Sequence, residues 1–346
     1  MRRDLSMAML VLGAVLAGRA QAGEATFKDW DVVCDNVRTC TAFGLTEEGA
    51  ETDAFLKIER TGAPNAAPRL SLAVQSDTAT AETWALKVDG RPIAGLGALK
   101  ARRTADDSFL RAPLSAVQGA ALTAALLNGG ALTVKAGAED EATISLAGSA
   151  AALRWMDDQQ KRAGSVTALA AKGPKPASSL PPVPEIPLIR PAPPPSQAGV
   201  GDVLPKSVRA RFGPDCEANL PADRRDPISA RLAPGVILWG DVCFTAAYQS
   251  VYELFLADEA GGHVRPLLLD AQLGEKPDNQ LVEAAFDRDT LTISNFYKGR
   301  GIGDCGAGNS WTWDGKVFRL SAQATMSECR GVPQDDWPES FVSRQK

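Results

Sequence analysis

The stretch GPKPASSLPPVPEIPLIRPAPPPSQA, residues 173–198, divides the chain into two parts of similar length. Ten of its 26 residues are proline, and its apolar residues follow neither the helix period nor the strand period. Proline fixes φ and removes the backbone donor, so such a segment favours an extended path outside any sheet or helix. We predict a linker over residues 173–199, with an open backbone and a folded module on each side.

The length and composition of the chain are those of a globular protein with two domains. Its 346 residues leave about 150 on each side of the predicted linker. The hydrophobic content is 45% and the charged content 23%, which is far from the composition of a disordered chain. The two predicted modules span residues 23–172 and 200–346.

The first 22 residues have the pattern of a secretory signal peptide. Arg2 and Arg3 precede an apolar run over residues 7–17, and Ala20-Gln21-Ala22 forms a small-x-small cleavage site. The apolar run is shorter than the roughly 20 residues that a membrane-spanning helix needs. We predict cleavage after Ala22, no membrane span and a periplasmic mature protein.

Charge argues against nucleic acid as a partner. The whole chain has 37 basic and 42 acidic residues, and the leader removes three arginines and one aspartate, so the mature chain has 34 and 41. No group of lysines and arginines in the sequence is dense enough for phosphate binding. The expected partner is an unknown envelope component or a small ligand.

Cysteine usage agrees with export. Six cysteines follow the leader, namely Cys34, Cys40, Cys216, Cys243, Cys305 and Cys329. An even number in an exported chain favours disulfides, and the predicted linker separates the first two from the other four. We predict pairing in chain order: 34 with 40, 216 with 243 and 305 with 329. No C-x-x-C pair occurs and His263 is the only histidine, so we expect no structural metal.

The N-terminal module is predicted to be α+β. Residues 27–34 and 39–44 read as a hairpin clamped by the first disulfide, and further strands are indicated at 55–60, 70–74, 84–88, 131–135 and 143–146. Two helices are indicated over residues 113–128 and 149–162. We expect Ser149 to cap the second helix, and Asp157, Asp158, Lys161 and Arg162 to form its solvent-facing side.

The C-terminal module is predicted to be an antiparallel β-sandwich or barrel of about seven strands. Apolar β-type runs occupy residues 236–244, 250–257, 264–269, 281–286 and 291–296, the last two joined by a tight turn at 287–289. Asp314-Gly315 indicates a two-residue turn that would set Trp313 opposite Lys316 and Trp311 opposite Phe318. In that register Trp313 is partly exposed beneath the lysine.

Two familiar catalytic patterns do not fit. Gly301-Ile302-Gly303-Asp304-Cys305-Gly306 matches the dinucleotide fingerprint G-x-G-x-x-G, but a hairpin follows it where that fingerprint needs a helix. His263 lies in a glycine-rich turn, with neither a G-x-S-x-G serine nor a free cysteine to activate. We therefore assign no catalytic residue and no cofactor.

The loop over residues 298–310 is the candidate binding site. Its five glycines allow a partner to approach the backbone, Arg300 offers a planar donor fork, and Asp304 and Asn309 add an acceptor and an amide. Trp313 would supply an apolar surface nearby. The alternative is structural: Arg300 and Asp304 pair with each other in a loop held by the disulfide between residues 305 and 329.

Several of these stretches resemble one family of exported bacterial proteins, the domain-of-unknown-function family 1176. The resemblance is carried by Phe27-x-Asp29-Trp30-x-Val32-x-Cys34-Asp35-Asn36, Leu153-Arg154-x-Met156-Asp157-Asp158-Gln159, Ala168-Leu169-Ala170-Ala171-Lys172-Gly173, Lys298-Gly299-Arg300-Gly301-x-Gly303-Asp304-Cys305-Gly306, Trp311-x-Trp313-x-Gly315 and Glu328-Cys329-Arg330-Gly331. The N-terminal module also loosely resembles the invasion-associated locus B proteins. The larger family implies no reaction, and the smaller implies envelope stress or host interaction.

Three functions remain open on the sequence. The first is a non-catalytic envelope or binding factor in the periplasm, and the second is a periplasmic hydrolase that uses a carboxylate pair on cell-wall glycan. The acids that crowd near the last two cysteines are candidates for that pair: Asp304, Glu328, Asp335 and Asp336. The third is a secreted host-interaction factor. Two carboxylates that converge in a cleft would favour the hydrolase.

Overall fold

The structure is a computed structural model that describes residues 22–77, 79–104, 107–136, 139–216, 220–269 and 278–346. The predicted signal peptide lies outside these residues, except for Ala22. Below, the N-terminal half is residues 22–172, the proline-rich segment is residues 173–199, and the C-terminal half is residues 200–346.

One sheet of eleven strands forms the N-terminal half. In chain order the strands are β1 (Gly23–Phe27), β2 (Trp30–Cys34), β3 (Cys40–Leu45), β4 (Ala54–Arg60), β5 (Arg69–Gln75), β6 (Ala81–Val88), β7 (Arg91–Pro92), β8 (Leu99–Arg102), β9 (Phe109–Pro113), β10 (Ala131–Ala136) and β11 (Glu139–Ser145). They pair antiparallel in the order β1-β2-β3-β4-β5-β9-β8-β6-β10-β11, with β7 beside β6. A bridge between Thr46 and Ile144 brings the end of β3 to β11, so the sheet curls back on itself.

Two helices pack on the concave face of this sheet. They are α1 (Ala116–Leu126), which begins with a capping box of Ser115 and Gln118, and α2 (Ser149–Gln159). The shared core contains Trp84 and Trp30 from the sheet and Leu122 from α1. The predicted α+β character of this half is therefore present in the structure, and the predicted strands lie within one to four residues of the observed ones.

The prediction for the start of α2 is wrong. Gly148, with φ 101°, occupies the cap position, and the hydroxyl of Ser149 instead donates to the carbonyl of Leu126 at 2.7 Å. Two features require glycine at position 148. Its φ lies in the left-handed region, and an added Cβ would lie 1.8 Å from the carbonyl oxygen of Phe27. The serine ties α2 to the end of α1.

The predicted solvent-facing charges of α2 are also partly wrong. Asp157 and Arg162 are fully buried. Arg60 Nη2 donates to Asp157 Oδ1 at 2.7 Å, and the same carboxylate accepts the backbone N–H groups of Leu169, Ala170 and Ala171 at 2.8 to 3.0 Å. This network fastens the chain that follows α2 to strand β4. The neighbouring residue Asp158 is exposed, as expected.

Two antiparallel sheets form most of the C-terminal half. The first has β13 (Ile228–Ala233), β14 (Val236–Thr245), β15 (Ser250–Ala257), β16 (Arg265–Pro266) and β17 (Gln280–Val282), and the second has β18 (Ala285–Asp287), β19 (Thr292–Lys298), β20 (Gly306–Trp313), β21 (Phe318–Met326) and β22 (Glu339–Val342). A short helix, α3 (Lys206–Arg209), precedes them. The sheets share a core that includes Leu238, Leu254, Ile293 and Trp311, as in a β-sandwich.

Two predicted strands of this half need correction. The run 264–269 forms a strand only at β16, where Pro266 lacks a backbone donor for a longer ladder, and Leu269 adds a single bridge to Asp278. The run 281–286 is split between β17 in the first sheet and β18 in the second. The break falls at Glu283, whose φ of 49° turns the chain from one sheet to the other. The predicted tight connection between β18 and β19 is present, but it spans residues 288–291 rather than 287–289, because Asp287 still pairs with Thr292.

The register of the tryptophan hairpin differs from the prediction. Trp313 lies opposite Phe318, and Trp311 lies opposite Leu320. The loop has four residues because the Asp314 carboxylate accepts the backbone N–H groups of Lys316 and Val317, at 2.9 and 2.8 Å. Trp313 is buried and contacts Phe318 with 5.2 Å between ring centroids, so it is not a partly exposed partner of the lysine.

All three predicted disulfides are present: Cys34 with Cys40, Cys216 with Cys243 and Cys305 with Cys329. The first joins β2 to β3, the second ties the segment after α3 to β14, and the third ties the start of β20 to the chain after β21. None of the helices formed by the described residues is long and apolar enough to cross a membrane.

The proline-rich segment is extended, but its predicted open backbone is wrong. β12 (Leu188–Ile189) pairs in parallel with β23 (Arg344–Gln345), and Ala192 N–H donates to the carbonyl of Trp313 at 2.9 Å. The side-chain amide of Gln197 both donates to and accepts from the backbone of Arg231 in β13. The segment therefore lies along the C-terminal half from residue 187 onward, whereas its beginning pairs with the N-terminal half through Lys175.

The two halves also pack directly against each other. Phe43, Phe55 and Phe109 on the convex face of the first sheet form one apolar cluster with Met326 and Trp337 of the C-terminal half. Around this cluster lie ion pairs from Asp336 to Lys57 and Arg111, and from Arg330 to Asp29. The side-chain amide of Asn36 pairs with both backbone groups of Val342. Because of this shared cluster, a division into independent domains stays a prediction.

We expect the folded protein to resist limited proteolysis across residues 173–199. A protease needs several residues of extended, unpaired backbone, and this segment is held at Ala192, Gln197 and β12. A glutamate-specific protease offers a direct measurement, because Glu185 lies inside the segment and is followed by Ile186 rather than by proline. Rapid cleavage after Glu185 into two stable fragments would contradict the packing and restore the open linker.

Candidate functional site

The candidate loop is shorter than predicted, because β20 begins at Gly306. It spans residues 299–305 and is closed by a hydrogen bond from Gly299 N–H to the Cys305 carbonyl at 2.8 Å. Gln249, from the β14–β15 connection, accepts from the backbone N–H of Lys298 and donates to its carbonyl. The disulfide and this amide clamp hold the loop from opposite sides.

Arg300 and Asp304 pair with each other, which is the structural alternative raised by the sequence. Arg300 donates from Nε to Asp304 Oδ1 at 2.7 Å and from Nη2 to Oδ2, and Gly331 N–H donates to Oδ2 at 2.7 Å. Burial acts to raise the pKa of Asp304, but these donors outweigh it and hold that pKa below its ordinary value. The pKa of Arg300 is raised by the same hydrogen bonds.

Asn309 and Trp313 do not join this pair. Asn309 is buried in β20, where its amide donates to Asn295 and accepts from Gln323. Trp313 lies at the far end of the same strand, about 20 Å from Gly306 at roughly 3.3 Å per residue. The structure therefore does not bring the four predicted residues together.

An open cleft of about 490 Å³ lies beside the loop, between the two halves of the protein. The N-terminal half contributes Asp53, Gln75 and Phe109, and the C-terminal half contributes residues of the loop and of the chain after β21. Its apolar floor continues from the cluster that joins the halves. Sequence reasoning missed Asp53, because nothing in the local pattern links residue 53 to a loop near residue 300.

Two charged groups in this cleft have no direct partner among the described residues. The carboxylate of Asp53, which is partly buried, accepts no hydrogen bond there, and the amine of Lys298 makes no ion pair. Burial raises the pKa of Asp53, the carboxylate of Asp304 raises it further, and Arg300 opposes both. Two carboxylates thus face one cleft with their pKa values moved in opposite directions.

The other acids near the last two cysteines are engaged or isolated. Glu328 lies 3.5 Å from Arg330, and Asp336 is held by Lys57 and Arg111 in the contact between the halves. Asp335 is exposed. Of the acids that the sequence nominated, Asp304 is the one that lines the cleft.

A second open cleft, of about 520 Å³, lies in the N-terminal half between the loop after β3 and strands β10 and β11. Glu47, Glu48 and Glu51 line it.

His263 is 93% exposed and contacts Asp258 at 2.9 Å in its turn, which agrees with the sequence interpretation.

One group of three potential metal ligands occurs among the described residues, namely Cys216, Cys243 and Glu253. The two sulfurs are bonded to each other, so they are not available as thiolates. Glu253 accepts hydrogen bonds from the Gly213 backbone and the Gln280 side chain. All three residues therefore have partners within the protein, and the cluster is a structural contact.

Fold and cleft together define a disulfide-bonded, mainly antiparallel β protein with an open cleft between its two halves. The chain belongs to the family described as "Protein of unknown function (DUF1176)", whose model matches residues 24–344. It is 31% identical, over 369 aligned residues and 97% of each chain, to "Uncharacterized protein YpfG" of Escherichia coli (strain K12). No solved structure matches the chain.

The residues that carry the family resemblance have structural roles here. Asp157 binds the backbone amides after α2, and Arg330 pairs with Asp29 across the halves. Gly306 has φ 141°, and an added Cβ would lie 1.9 Å from the Tyr297 carbonyl oxygen. These three positions hold the two halves and the loop in place.

Proposed function

We propose that this protein is an exported, non-catalytic binding factor of the cell envelope, and that the cleft between its halves takes a small ligand with a cationic group. The observation that carries this is the unpaired, partly buried Asp53 carboxylate in that cleft. A buried carboxylate without a partner is costly, and a cationic ligand would relieve that cost.

Other features of the cleft support a binding role. Its floor includes Phe109 and Phe296, and Gln75 and Gln334 add polar groups at its edges. A mostly apolar surface with a few convergent polar groups is typical of ligand sites. Three disulfides support the proposed export, since such bonds persist in oxidising compartments.

A hydrolase acting on cell-wall glycan is the second candidate, because Asp53 and Asp304 line the same cleft. Their pKa values move apart, as in an acid and base pair. We rank it second because both oxygens of Asp304 already accept hydrogen bonds, from Arg300 and Gly331, which leaves it poorly placed as a nucleophile or base.

The test is thermal stabilisation by a panel of amines that includes lysine, arginine, putrescine and a diaminopimelate-containing cell-wall peptide. A ligand at 100 times its Kd stabilises the folded state by about 2.7 kcal/mol, which raises the Tm by several degrees. We expect Asp53→Asn to abolish the rise. Asp335→Asn, which removes an equal charge from an exposed position, should keep it.

Two results would contradict the binding proposal. One is a wild-type Tm that no member of the panel raises, and the other is a rise that Asp53→Asn leaves unchanged. Incubation with purified cell-wall glycan separates the second candidate, because release of reducing ends that is lost in Asp53→Asn would show hydrolysis.

A further inference from the structure

We propose that Asp31 is a pH-operated latch between the two halves, which closes when its carboxyl is protonated and loosens when it ionises. The residue lies in β2 and is fully buried. Its Oδ1 atom accepts a hydrogen bond from Thr26 in β1 at 3.1 Å and another from Ser327 in the C-terminal half at 3.2 Å. One carboxyl group thus joins elements 296 residues apart in the chain.

The other oxygen of this carboxyl group makes the contact between the halves sensitive to the protonation of Asp31. Asp31 Oδ2 is buried and has no hydrogen-bond partner among the described residues. A neutral carboxyl tolerates this position at modest cost, whereas an ionised one requires a donor or water. In the proposed latch, ionisation favours hydration of Oδ2, and the segment at Ser327 or strand β1 moves away to admit water.

The surrounding charges favour the neutral form. Glu24 in β1 and Glu328 after β21 both repel a negative charge on Asp31, and the cation nearby, Arg330, is paired with Asp29 and Glu328. Burial is the largest effect, and together with these acids it raises the pKa of Asp31 to about 7. Asp31 therefore titrates near neutral pH.

The direction of the effect follows from linkage. A carboxyl whose pKa is higher in the folded state than in the unfolded state binds its proton more tightly when folded. Its contribution to stability is complete below the ordinary pKa of about 4 and is lost as the pH rises through about 7. Acidification therefore closes the latch, and mild alkali loosens it.

The segment that carries the latch also reaches the cleft. Four residues after Ser327, the backbone N–H of Gly331 donates to Asp304 Oδ2. Gly331 has φ 76° and lies against Asp53, where an added Cβ would be 2.2 Å from the Asp53 carboxyl carbon. In the proposed latch, movement at Ser327 reaches the wall of the cleft along these four residues, which include Cys329 of the disulfide with Cys305. This holds whether or not the cleft binds a ligand.

Hydrogen exchange of the full-length mature protein tests the latch. Between pH 6 and pH 8 we expect the protection factor of the Gly331 amide, corrected for the intrinsic rate, to fall about tenfold in the wild type, as for one group with a pKa near 7. Asp31→Asn cannot ionise and should show no such fall. A wild-type protection factor that stays constant, or an equal fall in Asp31→Asn, overturns the proposal.

Two further variants separate the latch from a general effect of buried acids. Asp35 is also buried, with a pKa raised to about 6 by burial, but its carboxylate accepts only from Val37 and Thr39 of its own half. Asp35→Asn should keep the wild-type fall at Gly331. Ser327→Ala removes a donor that favours the ionised form, so the midpoint of the fall should move to higher pH. An unmoved midpoint would refute the role of Ser327 even if Asp31→Asn folds poorly.

Discussion

Replacing Asp157 by alanine should lower the free energy of unfolding by about 3 to 5 kcal/mol, the cost of leaving a buried ion without its partner. Both side chains of the Asp157–Arg60 pair are fully buried. The substitution also removes the acceptor of three backbone N–H groups, from Leu169 to Ala171. The Leu169 donor is buried and would be left without its acceptor, which adds to the effect, whereas Ala170 and Ala171 are half-buried.

The neighbouring acid supplies the control. Asp158→Ala removes the same charge from an exposed position one residue away, and should change stability by no more than about 0.5 kcal/mol. Urea unfolding of both variants gives the comparison. Similar midpoints for the two variants would mean that Asp157 contributes no more than a surface carboxylate, contrary to the network described above.

Trp337→Ala should cost about 3 to 5 kcal/mol, the usual range for removing a large buried aromatic side chain. The indole is 5% exposed, packs against Phe296 with 5.4 Å between ring centroids, and donates to the Val332 carbonyl at 3.0 Å. It belongs to the cluster that joins the two halves, so the substitution weakens their contact and not only the C-terminal core.

Tyr297→Ala is the matched aromatic control, because that ring is 47% exposed on the neighbouring position of the same strand as Phe296. We expect a loss of less than about 1 kcal/mol. Thermal or urea unfolding measures both variants. If Trp337→Ala were no more damaging than Tyr297→Ala, the halves would not depend on their shared cluster.

Local chemistry accounts for what the sequence predicted well. The pairing of Cys34 with Cys40 follows from a short hairpin, and the Arg300–Asp304 pair follows from donor and acceptor four residues apart in a tight loop. Strands β14 and β15 are long apolar runs, so their strand conformation could be predicted without knowing their neighbours in the fold. The family resemblance agrees with these predictions, but it assigns no role to any residue.

The errors arise where a distant partner or a side chain decides the backbone. Asp157 reads as one of several charges on a helix surface, because its partner Arg60 lies 97 residues earlier. The Asp-Gly turn has the composition of a two-residue hairpin, but the carboxylate of Asp314 closes a longer loop. The proline-rich segment has few donors of its own, and two of its contacts, at β12 and at Ala192, come from chain more than 100 residues away.

The candidate site shows the same limit. The loop was found because glycine, arginine and cysteine are conspicuous in sequence, whereas the cleft needs Asp53 from the other half. Asn309 looked available because the strand β20 was taken as loop as far as Ser310, and Trp313 because a two-residue turn would have set it opposite Lys316. A strand interior places alternate side chains in contact with its neighbours, and both residues are used there.

The cluster shared by the halves has a consequence for synthesis. Phe43, Phe55 and Phe109 form a complete apolar surface once the first sheet ends at Ser145, but the residues that cover it begin at Phe296. At 5 to 20 residues per second, the ribosome needs roughly 8 to 30 s to supply the intervening chain. For that interval the nascent protein presents an aromatic patch to its surroundings. Chaperone engagement at this patch, or translocation before the first sheet folds, would protect the chain from self-association.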